Sequence, residues 1–187
     1  LDFDYISGGE RRDYFFSMMP AYLLKKPHLT IYKDMTSVYS ENIEGPAVDV
    51  KDIDLKGKKA LHIADLITEA SSYERAWIPV IRGLGSDITD TVAVVDRHQN
   101  GREVLKGLGV ELHALTGINE ELFDEAKANG VINDAQKDMI MHFLENPADY
   151  MTAFLKANPG FIDAEIAKGG KNKERAELAI EKGFTNV

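Results

Sequence analysis

The apolar residues of this chain fall into short runs, separated by amphipathic or polar segments. Five runs have the length of β-strands, namely Phe3–Ile6, Leu29–Tyr32, Ala60–Ala64, Thr91–Val95 and Val110–Leu115. Strands that alternate with helical segments are typical of an α/β domain whose mainly parallel sheet is covered on both faces. The pattern predicts this fold class for the first part of the chain.

Helical spacing fills most of the gaps between these runs. We expect Ser17 to be the N-cap of the first helix and Pro20 to lie in its first turn. A second helix should kink at Pro79, and a third should span His98–Lys106. The segment Lys33–Lys58 is the least regular and is expected to form a mobile loop or a small hairpin. Four apolar residues on either side of Ser17 are assigned to the core, namely Phe15, Phe16, Met18 and Met19.

From Gly117 onward the pattern changes to one helix after another. Helices are predicted before Gly130, from Asp134 to Leu144, from Pro147 to Leu155 and from Asn172 to Lys182. A chain of 187 residues fits one domain with a helical appendage. We therefore expect an α/β core over residues 1–116 and a helical C-terminal extension, residues 117–187, packed on that core.

The charge balance and the absence of cysteine exclude several classes of function. The chain has 22 basic and 31 acidic residues, a net charge of −9, which argues against nucleic-acid binding. Without cysteine it can form no disulfide, thiolate nucleophile or zinc–sulfur site, and this composition fits the expected cytoplasmic location. No apolar stretch is long enough for a membrane span. Small anionic substrates stay possible, because backbone amides at a helix start bind phosphate.

Ligands of an open parallel sheet bind outside the carboxyl ends of the strands. The first candidate there is the segment Ser7–Asp13. Gly8 and Gly9 would allow a tight turn and a close approach to a ligand, while Arg11 and Arg12 offer forked donors for phosphate. The alternative is a glycine turn with solvated charges.

The second candidate is Ala64–Ser72, a strand end followed by a hydroxyl-rich turn that opens a helix. Free N–H groups at that helix start favour an anion. Thr68, Ser71 and Ser72 could donate to it, and Asp65 could accept from sugar hydroxyls. The alternative is that Ser71 or Ser72 is only the helix N-cap.

Two single residues complete the candidates. Arg97, directly after the fourth strand, could clamp a carboxylate, unless its loop merely caps the next helix. Lys33, at the end of the second strand, could meet a phosphate, although a solvated lysine is the commoner outcome. The five histidines lie too far apart for a metal site, so we expect no metal ligands in the protein, and His62 and His113 are assigned to the core.

In chain order, these segments resemble the type I phosphoribosyltransferases, and within them the orotate phosphoribosyltransferase-like proteins. ISGGERRDYFFS with KPHLTIYKD resembles the pyrophosphate-binding loop, its helix and the next strand. GKKALHIADLITEASS resembles the loop that binds phosphoribosyl pyrophosphate (PRPP), and VAVVDRHQNGREVLKGLGVELHAL resembles the end of the sheet. The similarity covers about residues 1–115.

The resemblance implies transfer of a phosphoribosyl group from PRPP to orotate or a related base in nucleotide metabolism. Mg²⁺ would accompany PRPP, and the protein would be a homodimer. Lys33 and Asp65 would be the catalytic residues. The remaining implied contacts are Gly8, Gly9, Glu10 and Arg11 for pyrophosphate, Asp65 for the ribose hydroxyls, Thr68, Glu69, Ala70, Ser71 and Ser72 for the 5′-phosphate, and Arg97 for orotate.

The sequence also departs from the family pattern. Ala64 replaces the first of two adjacent acids, and Glu69-Ala70-Ser71 replaces Thr-Gly-Gly, so Glu69 would repel a phosphate unless it turns to solvent. The segment Lys33–Lys58 lacks the Lys and His-Gly of the family's mobile catalytic loop. Two other hypotheses therefore stay open. One is a catalytically degenerate relative that binds a nucleotide or phosphate as a regulatory module, and the other is an interaction protein that uses the acidic helical tail.

Overall fold

The computed structural model describes residues 1–185. The chain divides into two compact units, Leu1–Asn119 and Glu120–Val187. The first unit contains strands and helices, whereas the described part of the second is helical. No helix within residues 1–185 is both long and apolar enough to cross a membrane.

The first unit is built on one sheet, whose strands are β1 (Tyr5–Gly9), β2 (His28–Ile31), β3 (Ser37–Ser40), β4 (Val48–Asp49), β5 (Lys59–Ile67), β6 (Asp87–Asp96) and β7 (Glu111–Gly117). Their order in the sheet is β4-β3-β2-β1-β5-β6-β7. Strands β2, β1, β5, β6 and β7 run parallel to one another, and β3 and β4 extend one edge by antiparallel pairing. The predicted mainly parallel α/β sheet is confirmed, and the segment Lys33–Lys58 contains the small hairpin.

The connecting helices of the first unit are α1 (Asp13–Leu24), α2 (Ile78–Gly83) and α3 (Gly101–Gly107). A π-helical turn, Tyr73–Trp77, leads directly into α2. The irregularity expected at Pro79 therefore lies in the preceding turn, because proline cannot donate to the carbonyl four residues earlier.

The third helix begins later than predicted. His98 and Asn100 have φ angles of 53° and 70°. A residue with this left-handed backbone cannot be part of a right-handed helix, so α3 begins only at Gly101.

The second unit contains five helices within residues 120–185. Phe161–Lys168 was not predicted, and it lies between Gly160 and Gly169, which both have positive φ angles. The last predicted helix is present, although it begins at Gly170 rather than Asn172. These helices are α4 (Glu120–Ala128), α5 (Asp134–Glu145), α6 (Pro147–Ala157), α7 (Phe161–Lys168) and α8 (Gly170–Glu181).

Helix α1 starts four residues before the predicted N-cap. Ser17 lies inside the helix and is buried, and its hydroxyl contacts Nε2 of His28 at 2.9 Å instead of capping a helix amide. Pro20 consequently lies in the helix interior. The predicted cap was wrong because Ser17 forms its hydrogen bond with a neighbouring strand, which local sequence does not reveal.

The large apolar residues of α1 are not in the core, contrary to the prediction. Phe15 is 81% exposed and Met19 is 58% exposed, and Phe16 is exposed as well. The buried positions of the helix are Asp13, Ser17 and Ala21, spaced four residues apart. These smaller side chains let α1 approach β1 closely, so the larger ones face outward.

The sheet carries an apolar cluster on each face. The larger cluster includes Leu29, Ile31, Trp77 and Ile81, and the smaller one includes Ile6. Neighbouring residues of β1 belong to different clusters, as expected for a strand buried on both faces.

His28 is a buried histidine between β2 and α1. Its Nε2 contacts the Ser17 hydroxyl at 2.9 Å and its Nδ1 contacts the Thr30 hydroxyl at 3.1 Å. Burial, reinforced by nearby His62, lowers the pKa of His28 to about 4. The folded protein therefore holds this imidazole neutral under conditions where an unfolded chain would protonate it.

This difference predicts a pH-dependent stability. Because the folded-state pKa of His28 lies below its usual value of 6.5, the unfolded chain takes up the proton first as the pH falls. The contribution is complete above about pH 6.5 and is lost toward pH 4, by roughly 3 kcal/mol. Urea unfolding at several pH values should show that His28→Gln lacks this loss, while the exposed control His142→Gln retains it. An equal loss in all three proteins would contradict the assignment.

Candidate functional site

A cleft of about 360 Å³ opens beside the carboxyl ends of β1 and β5. It contains parts of both principal candidate segments, which lie more than fifty residues apart in the sequence. The site therefore forms at the edge of the sheet where ligands of parallel sheets bind. The lining consists of Glu10–Asp13, Lys33, Ala64–Thr68, Ala70–Tyr73 and Trp77.

Gly8 and Gly9 do not form the tight turn that was predicted. Both belong to β1 and are buried, and neither lines the cleft. A Cβ on Gly8 would lie 2.1 Å from the Ser17 hydroxyl, and one on Gly9 would lie 2.2 Å from the ring of Trp77. Close packing on the two faces of the strand, rather than a turn, therefore explains the glycine pair.

Glu10 joins the loop after β1 to the end of β2. Its backbone N–H donates to the carbonyl of Ile31 at 2.8 Å, and its carboxylate accepts from the backbone N–H of Lys33 at 3.0 Å. This pair of bonds places Lys33 in the cleft together with Arg11 and Arg12. Three cationic side chains thus line one cleft, as binding of a phosphate-like anion requires.

Asp65 lies within a strand rather than after one, because β5 continues to Ile67. Its backbone N–H donates to Asp13 Oδ1 at 2.9 Å, and its Oδ2 lies 3.9 Å from the Arg12 guanidinium. Desolvation raises the pKa of Asp65; the nearby Asp13 carboxylate adds to this, and a hydrogen bond from the Leu66 N–H opposes it.

The turn after β5 brings the predicted hydroxyls to the cleft. Thr68, Ser71 and Ser72 line it, and so does Ala70, whose φ of 57° is left-handed. The Ala70 carbonyl accepts the first helical hydrogen bonds, from the N–H groups of residues 73 and 74. The side chain of Ser72 makes no capping bond. Glu69 does not line the cleft.

Arg97 lies close to this turn but does not line the cleft. Its backbone N–H donates to the Ile67 carbonyl at 3.0 Å. A Cβ on Gly101 would lie 2.4 Å from the Thr68 carbonyl oxygen, so α3 begins in close contact with the turn. The loop after β6 thus supports the turn after β5. Arg97 contributes to the site through its backbone N–H, and its side chain is not among those that line the cleft.

Three polar or aromatic lining residues received no role from the sequence: Asp13, Tyr73 and Trp77. Asp13 stands in the sequence only as the last residue of the first candidate segment, and its partners lie on two different strands. Tyr73 and Trp77 show no signal other than helical spacing. Nothing in the local sequence distinguishes them from ordinary core positions.

The histidine predictions have different outcomes. His62 is fully buried, and its Nδ1 contacts the Ser7 hydroxyl at 2.9 Å, while its Nε2 has no hydrogen-bond partner among residues 1–185. His62 therefore lies in the core, as predicted, with one of its two ring nitrogens unpaired in that part of the chain. His113 is not in the core, since it is half-buried and contacts Asp90 at 2.7 Å.

No group of three or more metal-ligating side chains occurs within the described residues 1–185. The cleft offers two neighbouring acids, Asp13 and Asp65, and the oxygens of Asp13 already accept backbone hydrogen bonds. Mg²⁺ prefers a few carboxylates together with substrate phosphate oxygens. The residues present therefore fit a magnesium ion that arrives with a phosphorylated substrate, not one caged by the protein.

No family model matches the chain. Over 93 residues it is 32% identical to an orotate phosphoribosyltransferase of Saccharolobus solfataricus. The matched stretch covers 50% of this chain and 47% of that protein. The UMP synthase structure of Leishmania donovani superimposes with a TM-score of 0.63 at 19% identity, covering 78% of this chain and 30% of that one. The orotate phosphoribosyltransferase structure of Francisella tularensis gives a TM-score of 0.58 at 15% identity, covering 77% and 70%.

The chain has the type I phosphoribosyltransferase fold. Its sequence relatives include proteins named orotate phosphoribosyltransferase, which confirms the resemblance found in the sequence. The chain spans between 25% and 65% of the length of the curated relatives it matches. The phosphoribosyltransferase fold thus accounts for a cleft at the carboxyl edge of the sheet.

The position of Glu69 predicts how the cleft responds to a change of charge. Because this carboxylate does not line the cleft, Glu69→Gln should alter the affinity for inorganic pyrophosphate by less than about threefold. Lys33→Gln, which removes a lining cation, should weaken it by on the order of tenfold. Titration calorimetry measures both. Markedly tighter binding by Glu69→Gln would show that this carboxylate faces the anion after all.

Proposed function

We propose that the protein is an orotate phosphoribosyltransferase-like enzyme, which transfers the phosphoribosyl group of PRPP to orotate or a related base. The observation that carries the proposal is the shared cleft, in which a cationic loop after β1 faces a hydroxyl-rich turn after β5. PRPP carries a pyrophosphate and a 5′-phosphate on one ribose. A cleft with two separate anion-binding segments matches that arrangement of charge.

The pyrophosphate of PRPP would lie against the loop after β1. Arg11, Arg12 and Lys33 supply positive charge there, and Glu10 fixes the backbone of Lys33. Mg²⁺ would enter with PRPP and neutralise part of the pyrophosphate charge. Gly8 and Gly9 serve this part of the site through packing, because their missing side chains let α1 and Trp77 approach the strand.

The ribose and its 5′-phosphate would lie against β5 and its turn. Asp65 can accept hydrogen bonds from the ribose hydroxyls, and its carboxylate lies beside a cation, Arg12. Thr68, Ser71 and Ser72 offer hydroxyl donors to the 5′-phosphate at the start of a helix. In this arrangement the carboxylate accepts hydrogen bonds from the ribose, and the hydroxyl groups donate hydrogen bonds to the 5′-phosphate.

In the transfer, a ring nitrogen of the base gives up its proton to solvent and forms a bond to C1′ of the ribose. The bond from C1′ to pyrophosphate breaks, and pyrophosphate leaves with the electron pair. Positive charge therefore develops on the ribose ring and negative charge on the departing pyrophosphate, which the lining cations would stabilise. Positioning supplies much of the remaining acceleration. Arg97 is the proposed contact for the orotate carboxylate and would have to reach it beyond the present lining of the cleft.

The test is calorimetric titration with magnesium–PRPP, together with an assay of nucleotide formation from PRPP and orotate. We expect binding and turnover by the wild-type protein. Lys33→Gln and Asp65→Asn should lower kcat/KM by about two orders of magnitude. The exposed control Lys58→Gln should leave it unchanged. Binding without turnover of any base would support the regulatory-module hypothesis instead. Failure to bind PRPP would reject the enzyme, and failure to bind a nucleoside monophosphate in a parallel titration as well would reject both.

We also propose that the protein forms a homodimer through the outer face of α1. Phe15, Met19 and Leu23 lie four residues apart on that face, and Leu23 is 69% exposed. Contiguous apolar patches of this kind on a monomer commonly mark an interface. The helix follows directly from the cationic loop, so pairing there would stiffen one wall of the cleft. The cytoplasmic location expected from the sequence stays a prediction.

Light scattering during size-exclusion chromatography tests the dimer. We expect the mass of a dimer for the wild-type protein and of a monomer for Phe15→Glu/Leu23→Glu, because a charge on this face opposes burial. Val131→Glu is the matched control, since Val131 is equally exposed but lies in the helical unit. A wild-type monomer, or a double variant that still dimerises, would contradict the proposal.

A further inference from the structure

Asp13 joins the two segments that form the cleft. The residue is only 8% exposed, at the first position of α1. Its Oδ2 accepts the backbone N–H of Gly9 at 3.2 Å, and its Oδ1 accepts the backbone N–H of Asp65 at 2.9 Å. One carboxylate therefore fixes the end of β1 relative to the end of β5.

This arrangement also places two carboxylates side by side. Asp13 contributes to the raised pKa of Asp65, after desolvation. A pair of acids in a partly buried place is unfavourable unless each is hydrogen bonded. Asp13 meets this requirement with two backbone N–H groups, and Asp65 with the N–H of Leu66 and the nearby Arg12.

His62 lies behind Asp13 and is fully buried. Its ring stacks on Trp77 at a centroid distance of 5.9 Å and meets the edge of Tyr73 at 5.1 Å. Nδ1 contacts the Ser7 hydroxyl at 2.9 Å, while Nε2 finds no hydrogen-bond partner within the described part of the chain and lies 3.7 Å from Asp13 Oδ2. A buried nitrogen without a partner therefore points at the carboxylate that holds the cleft together.

The surroundings of the His62 ring select one tautomer. If the Ser7 hydroxyl donates to Nδ1, Nε2 carries the proton and its N–H faces the negative Asp13 carboxylate. The opposite tautomer would turn a lone pair toward that carboxylate, which is unfavourable in a buried place. The stacking on Trp77 keeps the ring in this orientation.

We propose that Asp13 is a positioning residue of the cleft, and that the buried ring of His62 orients the Asp13 carboxylate. The pair holds the loop after β1 and the Asp65 backbone in the relative position that binds both ends of a ribose with a pyrophosphate at one end and a 5′-phosphate at the other. The choice of ligand rests on the proposed function, whereas the clamp itself is a property of the protein alone.

Asp13→Asn tests the clamp with little change of shape. The amide oxygen can accept one of the two N–H groups, but the NH₂ cannot accept the other. We expect the KM for PRPP to rise at least about tenfold while the KM for the base changes less than about threefold, because the damage falls on the PRPP-binding segments. The amide protons of Gly9 and Asp65 should both move upfield and exchange faster with solvent, and the one that keeps its acceptor should change less, because a neutral amide oxygen accepts more weakly than a carboxylate. A merely structural defect would instead lower the amount of active protein without this split.

Asp90→Asn is the matched control. Asp90 also pairs with a histidine in the sheet, His113 at 2.7 Å, but it does not line the cleft. The control should leave the KM for PRPP and both amide resonances unchanged. His62→Gln should shift the same two resonances in the same direction as Asp13→Asn, but less. Unaltered Gly9 and Asp65 resonances in His62→Gln would reject the role of His62.

The wild-type protein supplies a test that needs no variant. A through-hydrogen-bond coupling between the Asp65 amide nitrogen and the Asp13 carboxylate carbon should be detectable by NMR. Its absence, in spectra that show such couplings across β5 and β6, would overturn the clamp. If the clamp is present but the wild-type protein does not bind PRPP, the proposed function fails and the clamp stands. If PRPP binds equally well to Asp13→Asn, the positioning role fails and the function stands.

Discussion

Close packing on both faces of the last two residues of β1 is the constraint on which the site depends. Gly8 leaves room for Ser17 of α1 on one face, and Gly9 leaves room for the ring of Trp77 on the other. A Cβ at Gly8 would lie 2.1 Å from the Ser17 hydroxyl and one at Gly9 would lie 2.2 Å from the Trp77 ring, so these side chains would have to shift, which a densely packed interior resists. The strand end, the first residues of α1 and the helix after β5 therefore meet at one place, and the cleft opens beside them.

The same packing explains the unusual surface of α1. A helix that lies this close to a strand must present small residues to it, and Asp13, Ser17 and Ala21 do so. The large apolar residues are then left for the opposite face, where Phe15 and Leu23 are exposed. A single requirement, contact with a side-chain-free strand end, thus produces both a buried polar helix face and an exposed apolar one.

The five parallel strands could be predicted from the sequence because each contains an apolar run that needs no knowledge of its partners, whereas β3 and β4 are short and left only the choice between a loop and a hairpin. Lys33, Asp65 and Thr68 could be singled out for a related reason, since each lies at or just after the end of such a run. The start of α1 could not be predicted in this way. Ser17 and Pro20 match the local signals of a helix start, but the structure uses Ser17 to bind His28. Asp13 was missed because its partner Asp65 lies 52 residues away along the chain.

Net charge does not decide which ligands this cleft can bind. The chain carries −9, and three acids, Glu10, Asp13 and Asp65, line the cleft beside three cations. Glu10 and Asp13 already accept backbone N–H groups, so their charge is compensated locally and their oxygens face the protein. Among the described residues, the side chains of Arg11, Arg12 and Lys33 form no such close bond with the protein. The nearest contact is the ion pair of Arg12 with Asp65 at 3.9 Å. The acids therefore hold the backbone around the cleft, and the cations stay available to an anion of the kind proposed, although the chain as a whole is acidic.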